Sequence, residues 1–189
     1  MYKLHEVAAA LRKRGFEAIA VATSAEAREV IAKEAESAAT IGWGGSESLK
    51  ESGVRDMLEK SGKKILDHEL IMDLFLLSAN ALTSDGRIVN IDGRGNRVAA
   101  SIAGPKKVIY VIGKNKIVEG GIDAALERIH AKACGPNCRR LGKKTPCAIN
   151  DVCLDCDSPD RICKVTAIFD RCPTGMPTLV ILVDEDLGY

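Results

Sequence analysis

Apolar positions along this chain recur at two spacings, and the way the spacings alternate predicts the architecture. Leu4, Val7, Ala8 and Leu11 share one helical face, Gly15 is a stop, and residues 16–22 follow as a strand. Thr23 with Glu26 three residues later reads as a capping box, opening a helix whose apolar stripe runs through Ala27, Val30 and Ile31. Residues 38–43 predict a strand, helical residues resume at about Glu47, and 54–60 give a further helix that ends at Gly62. Next come a short strand over 63–67, a helix over 68–73 and strands over 74–78, 87–91 and 107–113, with a short helix over 98–103. Ile122, Leu126, Ile129 and Ala133 mark a long amphipathic helix that Gly135-Pro136 is expected to stop, and 178–183 is a strong last strand. Strands alternating with helices predict an α/β fold with a mostly parallel sheet covered on both faces, and no internal repeat interrupts the pattern.

The stretch from 77 to 116 is the centre of this arrangement. Between buried strands lie Thr83-Ser84-Asp85-Gly86, which reads as a turn, and Asp92-Gly93-Arg94-Gly95-Asn96-Arg97, a glycine-bracketed loop before a helix. Backbone N–H groups, a helix start and arginines then meet at one end of a sheet, where α/β folds place ligands. A second glycine turn, Gly44-Gly45-Ser46, ends another strand; it permits close backbone approach, and Ser46 either presents an anion site or simply caps the helix behind it.

Composition narrows the function. The 189 residues suit one domain spanning 1–189, and the 27 basic and 26 acidic residues are interspersed, so no nucleic-acid footprint is expected. No apolar run reaches the length of a membrane span and the first residues form an amphipathic helix, so the expectation is a cytoplasmic protein without membrane contact. Seven cysteines in that compartment are expected to be reduced or metal-bound. All of them fall between 134 and 172, where apolar periodicity fades and something other than a core must hold the chain.

Cys147, Cys153, Cys156 and Cys163 have the spacing C-x5-C-x2-C-x6-C. Four soft thiolates within one loop suffice for a 4Fe–4S cluster, the favoured reading, or for tetrahedral zinc, the alternative. Cys134 and Cys138, in CGPNC, offer substitute or additional ligands, and Cys172 precedes a proline; the plainer reading of these three is a buried thiol.

Asp85, Asp92, Lys114 and Lys116 lie at strand ends, where acid–base and charge-stabilising groups collect, and Asp92 and Lys114 are the catalytic candidates. Arg97 can reach over the loop as an anion clamp, while Asn80 and Asn96 either position a carboxylate or bond turn backbone. His5, His68 and His130 are scattered, and no Ser-His-Asp set, P-loop or dinucleotide fingerprint is present.

Taken together, GWGGS at 42–46, NALTSDGRIVNIDGRGNRVAA at 80–100, GPKKVIYVIGKNKI at 104–117, the cysteines at 145–163 and ILVDEDLG at 181–188 resemble the LUD family, the lactate-utilisation domain proteins. The resemblance is to small stand-alone members and implies a three-layer α/β/α fold related to the sugar-phosphate isomerase and CoA-transferase group. By that similarity Gly44, Gly45, Ser46, Asn80, Asp92, Gly95, Asn96 and Arg97 line the ligand site. Combined with the cysteine spacing, it implies an iron–sulfur protein that binds a small 2-hydroxy or 2-oxo acid, contributes to lactate-type oxidation to pyruvate and works with an iron–sulfur oxidoreductase partner, with a homo-oligomer left open. The other readings are an isomerase- or transferase-like enzyme on a small phosphorylated or carboxylate ligand with structural zinc, and a non-catalytic subunit of an oxidoreductase.

Overall fold

The structure is a computed structural model that describes residues 2–66 and 70–189. Its main sheet contains six strands: β1 (Glu17–Val21), β2 (Thr40–Trp43), β3 (Lys64–Leu66), β4 (Leu74–Leu77), β7 (Lys107–Gly113) and β10 (Thr178–Val183). All pair in parallel in the order β1-β10-β7-β4-β2-β3. The strand period divides β7 between two apolar layers. Val108, Tyr110 and Ile112 join one cluster and Ile109 and Val111 the other.

Helix α1 (Tyr2–Lys13) covers the first face with Leu4, Val7, Ala8 and Leu11, and α5 (Asn96–Ile102) adds Ala100. Helices α2 (Ser24–Ala35), α3 (Glu47–Glu51) and α4 (Val54–Lys60) cover the second with Ala27, Ile31, Leu49, Val54 and Leu58. The expected capping box forms: Thr23 Oγ1 accepts the Glu26 N–H at 3.3 Å, and the Glu26 carboxylate accepts the Ala22 N–H at 2.9 Å. This is the three-layer α/β/α arrangement that the alternating pattern predicts.

A second sheet lies beyond the first face. It comprises β5 (Ala81–Thr83), β6 (Ile88–Asp92), β8 (Ile117–Val118) and β9 (Val165–Phe169), ordered β8-β5-β6-β9. One side of it shares the α1 cluster through Leu82, Ile88 and Phe169. Its other side packs Ala81, Val89 and Ile91 against α6 (Ile122–Arg128) and the cysteine segment.

Two local expectations differ from the structure. Gly135-Pro136 does not stop the helix that begins at Ile122: the chain passes through a π-helical turn over Ile129–Ala133 and continues as α7 (Cys134–Arg140). Pro136 has no N–H to donate back into that turn, so the irregular stretch of the helix falls directly before the proline. Of the helix expected over 68–73, residues 68 and 69 lie outside the described residues, and 70–73 are not helical.

Candidate active site and cysteine ring

Strand β6 ends on Asp92, the chain turns through Gly95 at φ +79°, and α5 starts at once. Asp92 is buried, with both carboxylate oxygens engaged: Oδ1 accepts Arg97 Nε at 2.7 Å and Oδ2 accepts the Val98 N–H at 3.0 Å. Arg97 also donates through Nη2 to Ile91 O at 2.8 Å and reaches Asn80 Oδ1 at 3.4 Å. Asn80 Oδ1 accepts the Ile91 N–H at 2.9 Å, while the Asn80 N–H donates to Asn90 Oδ1 at 3.0 Å. The buried Tyr110 hydroxyl lies 3.4 Å from Asn90 Nδ2, and burial raises its pKa. These groups satisfy one another, so their first task is to hold the 92–97 loop rigid.

That loop forms one wall of a pocket of about 560 Å³. Gly45, Asn80, Asp92, Asn96 and Arg97 line it, which brings five of the sequence-predicted site residues together. Gly44 lies behind them, where an added Cβ would stand 3.3 Å from Arg97 Cγ. Ser46 caps α3, its hydroxyl accepting the Leu49 N–H at 3.5 Å. Lys114 is elsewhere, paired with Asp184 at 3.2 Å.

The rest of the lining is strongly basic. Arg94, Arg140, Lys143, Arg161 and Lys164 join Arg97 there, against Asp92 and Asp160. Arg140 faces Glu47 at 3.5 Å, Lys143 faces Asp160 at 3.9 Å and Arg161 faces Asp155 at 2.7 Å. The side chains of Arg94 and Lys164 have no partner among the described residues, which leaves two cations for an anionic ligand. Four of these basic groups are scattered between 140 and 164, where no spacing signals that they converge.

The same wall opens onto a ring of cysteines. Helix α7 carries Cys134 and Cys138, and α8 (Pro146–Asn150), with Thr145 as its cap residue and Pro146 at its first position, carries Cys147. Residues 151–164 form neither helix nor strand and contribute Cys153, Cys156 and Cys163. All six cysteines line one small void of about 10 Å³, and Cys134 and Cys163 also line the basic pocket. The four ligands expected from spacing are therefore together, and Cys134 and Cys138 join them. Cys172 is separate, its thiol directed to Met176 O at 3.2 Å.

Cys138 and Cys147 place their sulfurs 3.8 Å apart. That matches an edge of a zinc tetrahedron, for which Zn–S bonds of about 2.3 Å imply sulfur spacings of roughly 3.8 Å. Among the described residues no three His, Cys, Asp or Glu side chains are placed to hold a single metal ion. Six soft donors spread around one void nevertheless have the chemistry of a thiolate-bound metal or polynuclear cluster, and the irregular segment 151–163 belongs to no sheet ladder that making room would break. Burial, then the neighbouring thiols, pushes the Cys134 thiol up to about 12. Arg161 braces the loop, donating to Cys163 O at 2.8 Å and Cys156 O at 3.0 Å.

Lys116 is the group whose importance the sequence understates. It follows the carboxyl end of β7 and is 5% exposed, with Nζ donating to Ser48 Oγ at 2.6 Å and lying 3.4 Å from Ser78 Oγ. Ser48 and Ser78 follow β2 and β4, so three neighbouring parallel strands deliver these side chains to one point. Burial, then the positive charges of Arg128 and Arg97, lowers the Lys116 pKa to about 7.

The family profile described as LUD domain matches residues 4–183. A crystal structure of a DUF162 family protein from Deinococcus radiodurans has the same fold, with a TM-score of 0.58 and 16% identity over 96% of each chain. No curated protein matches the sequence.

Proposed function

Because this chain belongs to the LUD domain family, whose profile covers residues 4–183 and supports a role related to lactate utilisation, we propose that it is an iron–sulfur protein. In this reading it binds a small 2-hydroxy or 2-oxo acid and contributes to lactate-type oxidation. The observation that carries the reading is the shared wall: the basic pocket and the cysteine ring have Cys134, Arg161, Ile162 and Cys163 in common. An anion held by Arg94 and Lys164 would lie beside thiolates suited to a 4Fe–4S cluster.

Oxidation of a 2-hydroxy acid to a 2-oxo acid releases two electrons and two protons from one C–H and one O–H bond. A cluster bound in the ring would supply one-electron transfer. The chain's own part is to fix the carboxylate with Arg94 and Lys164, to keep the loop in place through Asp92, Arg97 and Asn80, and to narrow water's access with the 151–164 segment. Lys116, largely deprotonated just above neutral pH, provides a buried site for a proton near the carboxyl ends of the strands. An iron–sulfur oxidoreductase partner would accept the two electrons one at a time, and the second proton would leave to solvent. At about 560 Å³ the pocket holds more than a three-carbon acid, so longer 2-hydroxy acids belong in any ligand panel.

The 3.8 Å separation of Cys138 and Cys147 favours one second reading, a structural zinc beside an anion-binding enzyme of isomerase or transferase type. Anaerobic purification with iron, acid-labile sulfide and zinc analysis separates the two. The first reading expects iron and sulfide at about four each per chain; zinc without sulfide supports the second. Calorimetric titration of L-lactate and pyruvate should give binding that is lost in the Arg94→Ala/Lys164→Ala variant. A metal-free wild type, or unchanged titrations in the variant, would overturn the corresponding half of the proposal.

A further inference from the structure

We infer that Cys134 and Cys138 are ligands of the centre, completed by Cys147 and Cys163, and that Cys153 and Cys156 stand outside the ligand set. This rests on the reading of the ring as a metal centre and assigns its donors differently from the C-x2-C spacing.

The helix geometry is the main support. In an unbroken α-helix, the nine residues from Ala125 to Cys134 would rotate Cys134 roughly 180° away from Ala125, on the far side from the stripe that packs on the small sheet. The π-helical turn over Ile129–Ala133 absorbs one extra residue and carries Cys134 and Cys138 back toward that stripe. Both then belong to the same buried cluster as Ala125, Ile129 and Ala133. A π turn sacrifices regular helical hydrogen bonding, and such turns recur at functional sites. Here its product is a pair of thiols one helical turn apart, aimed at the ring.

Helix–helix contact points the same way. A Cβ at Gly135 would meet Asp151 Oδ1 at 2.4 Å and Cys147 O at 2.6 Å, so α7 touches the α8 end of the chain with no room for a side chain between them. Cys134, Cys138 and Cys147 are accordingly 7%, 2% and 8% exposed and held on helices. Preorganised donors lose less conformational freedom on binding than donors on an irregular loop. Arg161 holds the carbonyls of both Cys156 and Cys163, but Cys163 is the loop donor fixed most firmly, because the next residue pairs with β6 through the Lys164 N–H to Asp92 O at 2.9 Å. Cys153 instead also lines an open groove on the outer side with His130, Val152 and Leu154, and Cys156, among the described residues, has no backbone hydrogen bond to either sheet beside it.

The test uses the full chain, purified without air, with iron, sulfide and zinc counted per chain and the visible and electron paramagnetic resonance spectra recorded. Cys134→Ser and Cys138→Ser should each lose most of the metal, whereas Cys153→Ser and Cys156→Ser retain it. Because a ligand variant can fail to fold, the decisive protein is the triple variant Cys153→Ser/Cys156→Ser/Cys172→Ser, which keeps only the four assigned thiols. It should hold the wild-type complement with an unchanged spectrum. A metal-bearing wild type whose triple variant is empty overturns this assignment, as does full metal content in Cys134→Ser or Cys138→Ser. A wild type without metal overturns the metal-centre reading itself.

Discussion

Replacing Lys116 with methionine should stabilise this protein at neutral pH, and the size of the gain should vanish in alkali. The lysine's pKa falls from 10.5 to about 7 on folding, chiefly through burial and then through Arg128 and Arg97. At about 1.4 kcal/mol for each tenfold change in proton affinity, the folded chain carries a penalty on the order of 4 kcal/mol at pH 7. The sign follows from proton uptake. Between pH 7 and 10.5 the unfolded chain binds the proton and the folded chain releases it, so wild-type stability rises with pH across that window and levels off on either side. Methionine fills the space of the lysine stem but ends one atom short of the amine and loses the donations to Ser48 and Ser78. Ser48 retains Leu187 O at 2.9 Å, so the loss should be about 1 kcal/mol. The expected net gain is thus roughly 3 kcal/mol at pH 7, or about 6–12 °C in melting temperature. It should become a loss of about 1 kcal/mol near pH 10.5, once only the missing hydrogen bonds count. Urea unfolding of both proteins at intervals from pH 6 to 10.5 measures this, and subtracting the curves cancels every titration the two proteins share. Two curves that stay parallel across the window would refute the buried-amine argument.

Two further substitutions probe the site's scaffold. Arg97→Ala strands the Asp92 carboxylate, whose side chain is 2% exposed, and should cost about 3 kcal/mol. Adding Asp92→Asn removes the orphaned charge, so the double variant should be less destabilised than the sum of the singles by roughly 1–3 kcal/mol, and strict additivity in urea titrations would show that the pair is not coupled. Gly135→Ala should cost roughly 1–3 kcal/mol although alanine is the better helix former, because its methyl group meets Asp151 Oδ1 at 2.4 Å and Cys147 O at 2.6 Å. Gly45→Ala, with nothing within 4 Å of the added Cβ, is the control; equal melting temperatures for the two variants would remove the close-contact argument.

What the sequence discloses depends on how far apart the cooperating residues lie. Strands β7 and β10 are found where the apolar runs place them, at 107–113 and 178–183, because a strand buried on both faces writes its whole length in apolar residues. The α1 stripe and the Thr23 cap are equally local and equally legible. The second sheet is not: β5 has three residues, β8 two, and β9 is largely exposed, so no period can emerge and long-range pairing alone defines them. In the site, the glycine loop at 92–97 is visible because glycine, aspartate and asparagine have conformational preferences of their own. That Asp92 has both oxygens occupied is invisible from residue type, and so is the phase shift that turns Cys134 and Cys138 inward.

The place of β10 in the main sheet has a consequence for biosynthesis. This late strand is inserted between β1 and β7, parallel to both, and β1 pairs with nothing else in that sheet. While a ribosome has yet to release residues 178–183, the nascent chain exposes two unfinished edges, β1 and β7, rich in alanine, valine and isoleucine. Closure must then bridge a sequence gap of about 160 residues, which slows folding and lengthens exposure to aggregation. Production yield should therefore respond more to chaperone supply and translation speed than to changes on the finished surface.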